Sequence, residues 1–196
     1  MKYDVIVLGS GPGGYVTAIR ASQLGLKTAI VEREELGGIC LNWGCIPTKA
    51  LLKSANVFEY IQHAEAYGIK VSSSEADFGA MVSRSRDVAD GMSKGVTFLL
   101  KKNKVDVIMG SGKVRTGKSL EVTASDGGTQ VLEASNIIIA TGARSRQLPN
   151  LKQDGKKIIG YREALTLKTQ PKKMVVVGSG AIGVEFAYFY TAIGTD

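Results

Sequence analysis

The sequence contains few of the side chains that most often bind structural metals. Its 196 residues include two cysteines and one histidine. A structural zinc site usually takes its ligands as two close pairs of cysteine or histidine. Cys40, Cys45 and His63 do not make two such pairs, so the composition argues against a zinc-binding domain. We expect no metal site, and we expect His63, which has polar neighbours, to be a surface residue rather than a catalyst.

The sequence also lacks a long apolar run. A membrane-spanning helix needs about 20 consecutive apolar residues, and no stretch of the chain approaches that length. The first apolar run, residues 5–8, is too short for the core of a signal peptide. These absences argue against a membrane protein and against a secreted one. We therefore expect a cytoplasmic protein in reducing surroundings.

Neither the charged residues nor the glycines form a repeated pattern. The formal net charge is +7, but the lysines and arginines are scattered, with short runs only at residues 101–104, 156–157 and 172–173. Scattered charge is typical of solvated faces, so we expect no nucleic-acid partner. The 24 glycines show no short period, which excludes a collagen-like or low-complexity chain. With 44% hydrophobic residues, the chain can bury a sizeable core.

The beginning of the chain has the pattern of a nucleotide-binding unit. Residues 2–8 are rich in valine and isoleucine, as in a strand buried on both faces of a parallel sheet. A glycine-rich loop follows, and residues 15–24 have the apolar spacing of a helix. In such loops glycines permit a tight turn, the approach of pyrophosphate and close helix–strand packing, while the helix N-terminus faces the phosphates. The loop consists of Gly9, Ser10, Gly11, Pro12, Gly13 and Gly14.

Two further features strengthen this interpretation. A second strand, predicted at residues 28–31, is followed by Glu32, about 20 residues beyond the loop, where an acidic residue binds ribose in such units. An ordinary charge at a strand end is the alternative for Glu32. The pattern also recurs: residues 174–177 predict a strand, the second glycine loop follows, and a helix is predicted from residue 184. The sequence therefore predicts an α/β protein with two Rossmann-like units, the second of them only begun.

The two cysteines lie in residues 37–52, which read GGICLNWGCIPTKALL. Thiols this close in a reducing cell indicate redox chemistry rather than structural cross-linking. A disulfide needs Cα atoms about 4.4 to 6.8 Å apart, whereas residues five apart in one helix rise about 7.5 Å, so Cys40 must lie outside the regular helix. Pro47 fits the first turn of a helix that begins near Cys45. The positive end of that helix, with Lys49, favours a thiolate; inert buried thiols are the alternative.

The middle of the chain changes from a helical to a strand-like period. Residues 78–104 predict a long amphipathic helix. One parallel strand and an antiparallel meander are predicted after it, at residues 105–109, 112–115, 120–124 and 129–132. A buried strand at residues 136–140 precedes Thr141, Gly142 and Ala143, whose small side chains permit close approach of a ligand. Residues 144–170 predict a loop-rich linker with a short helix near residues 162–167.

Together these motifs resemble a known family. Two dinucleotide loops flanking C-x-x-x-x-C, with an Ala-Thr-Gly run after a buried strand, are similar to the flavoprotein disulfide reductases that bind two dinucleotides. Within that family, residues 37–52 are most similar to the dihydrolipoamide dehydrogenases of 2-oxo acid dehydrogenase complexes. Glutathione and mercuric reductases share the cysteine spacing. They usually carry NVGCVP instead of the CLNWGCIP and the KALL ending found in this sequence.

The resemblance implies FAD in the first unit and NAD in the second. The first loop would lie at the FAD pyrophosphate, Glu32 at the adenosine ribose and Gly112 near the adenine. The other residues implied beside FAD are Arg33, Gly37, Gly38, Thr141, Gly142 and Ala143. The loop implied for NAD contains Gly178, Gly180 and Gly183. The implied domains are residues 1–145 for FAD and the redox disulfide, a linker at 146–170, and the start of the NAD domain at 171–196.

The resemblance also implies roles for the catalytic residues. Cys40, expected to be the more accessible thiol, would exchange with the substrate's dithiol, and Cys45 would lie against the flavin ring. The lysine that matches Lys49 lies near the flavin and pairs with a glutamate of the second unit, which here is Glu185. The implied reaction is oxidation of protein-bound dihydrolipoamide with reduction of NAD. The implied partners are the lipoyl domain of an E2 component and, as a homodimer, a second copy.

The match is incomplete in one respect. Chains of this family are more than twice as long, and an acid–base His and Glu come from a domain that this sequence does not include; His63 does not match that motif. We therefore expect the 196-residue piece to bind FAD without turning over. Another disulfide reductase, of the glutathione or mercuric type, is the alternative activity.

Overall fold

The computed structural model describes residues 2–196, which form two compact units. The first unit contains the described residues up to Asn42 together with Asp90–Ser145. The second contains Trp43–Ala89 and Arg146–Asp196. Both units are therefore assembled from segments that are distant in the sequence.

A six-stranded sheet forms the centre of the first unit, in the order β3-β2-β1-β6-β5-β4. The strands are β1 (Lys2–Leu8), β2 (Thr28–Glu32), β3 (Asp106–Met109), β4 (Ser111–Arg115), β5 (Ser119–Thr123) and β6 (Thr129–Ile139). β3, β2, β1 and β6 run parallel, whereas β4 and β5 are antiparallel to their neighbours. Apolar residues on β1 are buried on both sides, as a central parallel strand requires. The α/β class and the antiparallel meander are confirmed.

β6 is longer than the sequence predicted. We expected strands at residues 129–132 and 136–140, but one strand of 11 residues spans both. Its first part pairs with β5, and from Glu133 onward it pairs with β1. Leu132 and Ala134 are buried while Glu133 is exposed, which is the alternation of a strand rather than of a turn. Residues 133–135, between the two predicted strands, therefore continue the strand.

The helices have bounds close to those predicted. They are α1 (Pro12–Gln23), α2 (Gly38–Trp43), α3 (Cys45–Gln62), α4 (Phe78–Lys102), α5 (Tyr161–Ala164) and α6 (Ala181–Ala192). α1 begins earlier than expected, at Pro12, because proline is well tolerated in the first turn of a helix. The short helix α2 was not predicted, and α5 is shorter than the segment expected at residues 162–167. A 3₁₀ turn covers Ala64–Tyr67.

Each unit has its own hydrophobic core. In the first unit the buried cluster lies on the sheet and includes Ile6, Val31 and Leu120. In the second unit it joins α3, α4, α5 and α6, and aromatic rings fill its centre. The ring centroids of Phe189 and Tyr190 lie 5.1 Å apart in an edge-on arrangement. Such rings bury large apolar areas, so they dominate the packing of the second unit.

The prediction of a strand at residues 174–177 is wrong. The chain there adopts no regular structure, and the side chain of Val175 is 89% exposed. A strand needs a neighbouring strand to satisfy its backbone hydrogen bonds, and no β-strand of the described residues lies in the second unit. Instead, the Met174 N–H donates to the Asp196 carbonyl at 2.7 Å. The glycine loop and helix that were predicted to follow are present, with α6 beginning after Gly180.

Candidate functional site

The first glycine loop connects β1 to α1, and its shape requires residues without side chains. Gly9 has φ +100°, in the left-handed region, and a Cβ there would lie 2.3 Å from the Ala140 carbonyl oxygen. A Cβ on Gly14 would lie 1.9 Å from the Gly9 carbonyl oxygen. Contacts this short exclude any larger residue without a shift of the backbone. The predicted roles of Gly9 in the turn and Gly14 in close packing are therefore confirmed.

The other side of this loop is open. Gly11 forms the N-cap of α1 without a side-chain cap, and no acidic residue stands in the first turn. A Cβ on Gly11 or Gly13 would meet no atom within 4 Å. The N-terminus of a helix offers backbone N–H donors and a partial positive charge to an anion. The open loop at this helix end fits the pyrophosphate of a dinucleotide.

Glu32 lies at the end of β2, where its carboxylate accepts four hydrogen bonds. Its Oε2 accepts from the backbone N–H of Ser10 at 2.8 Å and from the Ser10 hydroxyl at 2.6 Å. Its Oε1 accepts from the N–H groups of Arg33 at 2.8 Å and Glu34 at 2.9 Å. The residue is buried, and four donors offset the cost of burying its charge. Glu32 therefore holds the glycine loop, a role that the sequence did not predict.

Other predicted cofactor residues border the same loop. The Gly37 N–H donates to the Ser10 carbonyl at 3.1 Å, and a Cβ on Gly38 would lie 2.7 Å from the Cα of Gly11. Ala140 N–H donates to the Leu8 carbonyl at 2.8 Å, which brings Thr141 beside Gly9. Gly112 packs against the Leu8 side chain at the end of β1. The remaining predicted residues are solvent-exposed: Arg33, Gly142 and Ala143.

Cys40 and Cys45 form a disulfide. Cys45 is the first residue of α3, and Cys40 lies in α2, separated from α3 by Gly44. The prediction that Cys40 lies outside the helix begun by Cys45 is confirmed, as is the place of Pro47 in the first turn. Cys40 is half-buried and Cys45 is exposed, the reverse of the expected order. Cys45 follows Gly44, which has no side chain to cover it, whereas Cys40 lies inside α2.

Lys49 lies one turn along α3 from Cys45 and forms an ion pair with Glu185 of α6. The predicted contact between these residues is confirmed. The charge of Lys49 lies near the end of α3 that begins with Cys45. There a cation and the helix dipole both favour a thiolate. The site therefore combines a disulfide, an adjacent cation and a partner that fixes the position of the cation.

A second polar contact joins α3 and α6, and the sequence analysis missed it. The Tyr188 hydroxyl donates to the side chains of Asn56 and Glu59. The hydrogen bond to Glu59 raises the pKa of Tyr188 to about 12. Glu185 and Tyr188 are three residues apart and so share one face of α6. That spacing is the signal by which the contact could have been found.

The second glycine loop repeats the local geometry of the first. Gly178 has φ +110°, and a Cβ on Gly183 would lie 2.6 Å from the Gly178 carbonyl oxygen. Gly9 and Gly14 are related in the same way in the first loop. Gly180 forms the N-cap of α6, as Gly11 does for α1. The internal repeat predicted from the sequence is therefore present in the loops and helices.

Two features are absent from the described part of the chain. Within residues 2–196, no helix combines the length and apolar character needed to cross a membrane. Over the same residues, no three His, Cys, Asp or Glu side chains are grouped so that they could hold a metal ion.

The sequence is similar to those of known proteins. The sequence model of the pyridine nucleotide-disulphide oxidoreductase family matches residues 3–196. The dihydrolipoyl dehydrogenase of Zymomonas mobilis is 55% identical over 194 residues, which cover 99% of this chain and 42% of that protein. The Chlorobaculum tepidum dihydrolipoyl dehydrogenase is 54% identical over 194 residues, covering 99% of this chain and 41% of its own length. The chain thus spans about two fifths of the length of these curated relatives.

A solved structure gives the same result for the fold. The crystal structure of LpdA from Mycobacterium tuberculosis superimposes with a TM-score of 0.89 at 28% sequence identity, covering 100% of this chain and 43% of that one. Because the family's sequence model covers nearly every residue and these relatives share more than half of their aligned positions, the chain belongs to the pyridine nucleotide-disulphide oxidoreductase family.

Proposed function

We propose that the chain carries the redox disulfide and the FAD-binding part of a dihydrolipoyl dehydrogenase. The observation that carries this proposal is the disulfide of Cys40 and Cys45 at the N-terminus of α3, with Lys49 one turn further on. The proposed reaction oxidises protein-bound dihydrolipoamide and reduces NAD. The identity to dihydrolipoyl dehydrogenases supports it.

The first half of this reaction is a thiol–disulfide exchange. A substrate thiolate attacks one sulfur of the protein disulfide and forms a mixed disulfide, and the second substrate thiol then displaces the protein sulfur. Lipoamide leaves as a cyclic disulfide, and Cys40 and Cys45 gain two electrons and two protons. We propose that Cys40 exchanges with substrate. The exposed surface of Cys45 then remains for contact with the flavin.

Lys49 and the start of α3 act on the reduced pair. The partial positive charge of the helix N-terminus and the ammonium group favour the thiolate at Cys45. The ion pair with Glu185 restricts where the ammonium group can lie. A thiolate rather than a thiol is the form that passes electrons onward, so these residues keep the pair in its reactive state.

We propose that FAD binds to the first glycine loop and NAD to the second. FAD, when bound, supplies the acceptor for the electron pair of the dithiol. The open surface at Gly11 and Gly13 and the N-terminus of α1 support a pyrophosphate there. Glu32 stands beside that loop and is proposed at the adenosine ribose, with Gly112 near the adenine. The other proposed FAD contacts are Arg33, Gly37, Gly38, Thr141, Gly142 and Ala143.

The wider setting of the reaction is also a proposal. The substrate class implies the lipoyl domain of a 2-oxo acid dehydrogenase E2 component as partner, a homodimer, and a reducing compartment such as the cytoplasm. The curated relatives are more than twice as long as this chain. We therefore propose that the 196 residues undergo the exchange half-reaction without sustained NADH formation.

The exchange step can be tested on the chain directly. The oxidised chain is mixed with dihydrolipoamide, quenched with an alkylating agent and weighed by mass spectrometry. We expect two alkylated cysteines per chain, and none when the reductant is omitted. Glutathione in equal thiol amount serves as the comparison. A pair that dihydrolipoamide leaves oxidised, while glutathione reduces it, would point to a different disulfide reductase and overturn the substrate assignment.

A further inference from the structure

Trp43, the only tryptophan of the chain, lies two residues before Cys45. Two guanidinium groups are placed over its ring. The Arg86 guanidinium carbon is 4.5 Å from the ring centroid and that of Arg162 is 5.1 Å from it. Both distances lie within the range of cation–π attraction. We call Trp43, Arg86 and Arg162 the Trp43 cluster; all three residues belong to the second unit.

Both arginines stand on well-packed supports. Arg86 lies on α4 next to Ser85, which is fully buried and whose hydroxyl donates to the Val82 carbonyl at 2.7 Å. Arg162 lies on α5, where the Ala164 carbonyl accepts a hydrogen bond from the buried Tyr190 hydroxyl at 2.7 Å. The arginines are themselves half-buried. Side chains on rigid supports lose little further freedom when they hold a partner, so the cluster can fix the position of the Trp43 ring.

The position of Trp43 matters because Gly44 links α2 to α3. Gly44 has no side chain through which this link could be anchored, so the anchor nearest to Cys45 on this side is Trp43. While the disulfide is closed, the covalent bond itself sets the separation of the sulfurs. After reduction that bond is gone, and the separation of the two thiols depends on the backbone from Cys40 to Cys45.

We propose that Trp43, held by Arg86 and Arg162, is a positioning residue for the redox pair. It keeps the two thiols of the reduced chain close to bond-forming distance and thereby stabilises the disulfide relative to the dithiol. This inference rests on the proposed function only in that the cysteine pair is taken to cycle. The step itself is a balanced exchange: one disulfide forms in the protein as one breaks in the oxidant, with transfer of two electrons and two protons.

Two effects of the cluster predict opposite results when it is weakened. If the cluster positions the thiols, its loss lowers their effective concentration, and the disulfide becomes easier to reduce. If instead the two positive charges act by stabilising a thiolate, their loss makes the disulfide harder to reduce. A tenfold change in the equilibrium constant of this two-electron couple corresponds to about 30 mV. The sign of the change therefore distinguishes the two mechanisms.

The experiment measures the oxidised fraction of the pair in buffers with graded ratios of reduced to oxidised dithiothreitol. Alkylation followed by mass spectrometry reports the oxidised fraction of this pair, since the chain contains only two cysteines. We expect Trp43→Leu to lower the equilibrium constant for disulfide formation three- to tenfold. Trp43→Phe, which keeps a flat ring, should restore most of the wild-type value. Arg86→Gln and Arg162→Gln should each fall between wild type and Trp43→Leu.

Arg84→Gln is the matched control. Arg84 also lies on α4, but its guanidinium donates to the Ala50 carbonyl at 2.9 Å and takes no part in the Trp43 cluster. It should leave the equilibrium constant unchanged, with thermal unfolding recorded for every variant. Equal values for Trp43→Leu and wild type, an equal change in Arg84→Gln, or a disulfide that becomes harder to reduce would each overturn the proposal. A wild-type pair that does not equilibrate with dithiothreitol would instead refute the proposed redox function.

Discussion

At the scale of single residues, Glu32 shows how a buried charge can shape a loop. Its carboxylate accepts from two donors of Ser10 and from the N–H groups of Arg33 and Glu34. The sequence located this acid correctly at the end of β2 by its distance from the glycine loop. It did not reveal the bonds to Ser10, because a sequence pattern does not record which donors a carboxylate meets once the chain has folded.

The change Glu32→Gln should lower the free energy of unfolding of the first unit by about 2 kcal/mol. The amide nitrogen of glutamine would face N–H and O–H donors that now bond to the carboxylate. Hydrogen bonds to a charged group contribute roughly 1.5 to 3 kcal/mol. Urea unfolding measures the difference. Glu34→Gln is the control, because Glu34 is exposed and its pair with Arg33 lies at the surface, so a change within about 0.5 kcal/mol is expected. Equal losses in both variants would contradict this role of Glu32.

Lys49→Gln should slow the alkylation of reduced Cys45 by iodoacetamide about three- to tenfold at neutral pH. The neutral side chain leaves only the helix N-terminus to favour the thiolate, and the thiolate is the reacting species. Peptide mapping assigns the rate to Cys45. Lys53 lies one turn further along α3 and is exposed, so it provides the control. In Lys53→Gln, Cys45 should react at the wild-type rate. If both variants react as fast as wild type, Lys49 does not activate the thiol.

At the scale of helices and strands, the local pattern predicted most elements, and the failures had tertiary causes. Residues 174–177 have the composition of a strand, but the second unit offers no neighbouring strand among the described residues. β6 runs on through residues 133–135, which separate the two predicted strands, because β5 and β1 supply partners along its whole length. Strand formation thus depended on a partner that the local sequence does not specify.

The contact between α5 and α6 predicts a pH dependence for the second unit. Burial raises the pKa of Tyr190 to about 12, against about 10 in the unfolded chain. The unfolded chain then loses its proton first, so this tyrosine contributes its full stability below pH 10, and the contribution is lost as pH rises toward 12. The expected slope from this residue is about −1.4 kcal/mol per pH unit over that window.

The measurement is the free energy of unfolding in urea between pH 9 and pH 12 for wild type and Tyr190→Phe. The variant lacks the hydroxyl that bonds the Ala164 carbonyl, so it should be less stable at pH 9. Its stability should fall less steeply with pH than that of wild type, because unfolding of the variant releases one proton fewer in this range. The pKa values of Tyr3 and Tyr188 are also raised to about 12, so some decline remains in the variant. Parallel pH curves would contradict the assignment to Tyr190.

At the scale of the whole molecule, the sequence predicted the components of the site better than their surroundings. The glycine loops, the cysteine spacing and the pair of Lys49 and Glu185 could be predicted, because each belongs to a short motif or to a family resemblance. The contacts of Trp43 with Arg86 and Arg162 were not, since the three residues are far apart in the chain and meet only through the packing of α4 and α5. The greater exposure of Cys45 likewise depends on the folded neighbourhood.

The proposed function requires that a flavin and the Cys40–Cys45 pair be in contact within one molecule. The most direct test is the absorption spectrum of the purified, flavin-loaded chain during titration with dithionite. We predict a flavin band before reduction and, after two electrons per chain, a long-wavelength band from a thiolate beside the oxidised flavin. That band should be absent in Cys45→Ser. Two-electron reduction that bleaches the flavin without such a band, or a chain that retains no flavin, would contradict the proposed function.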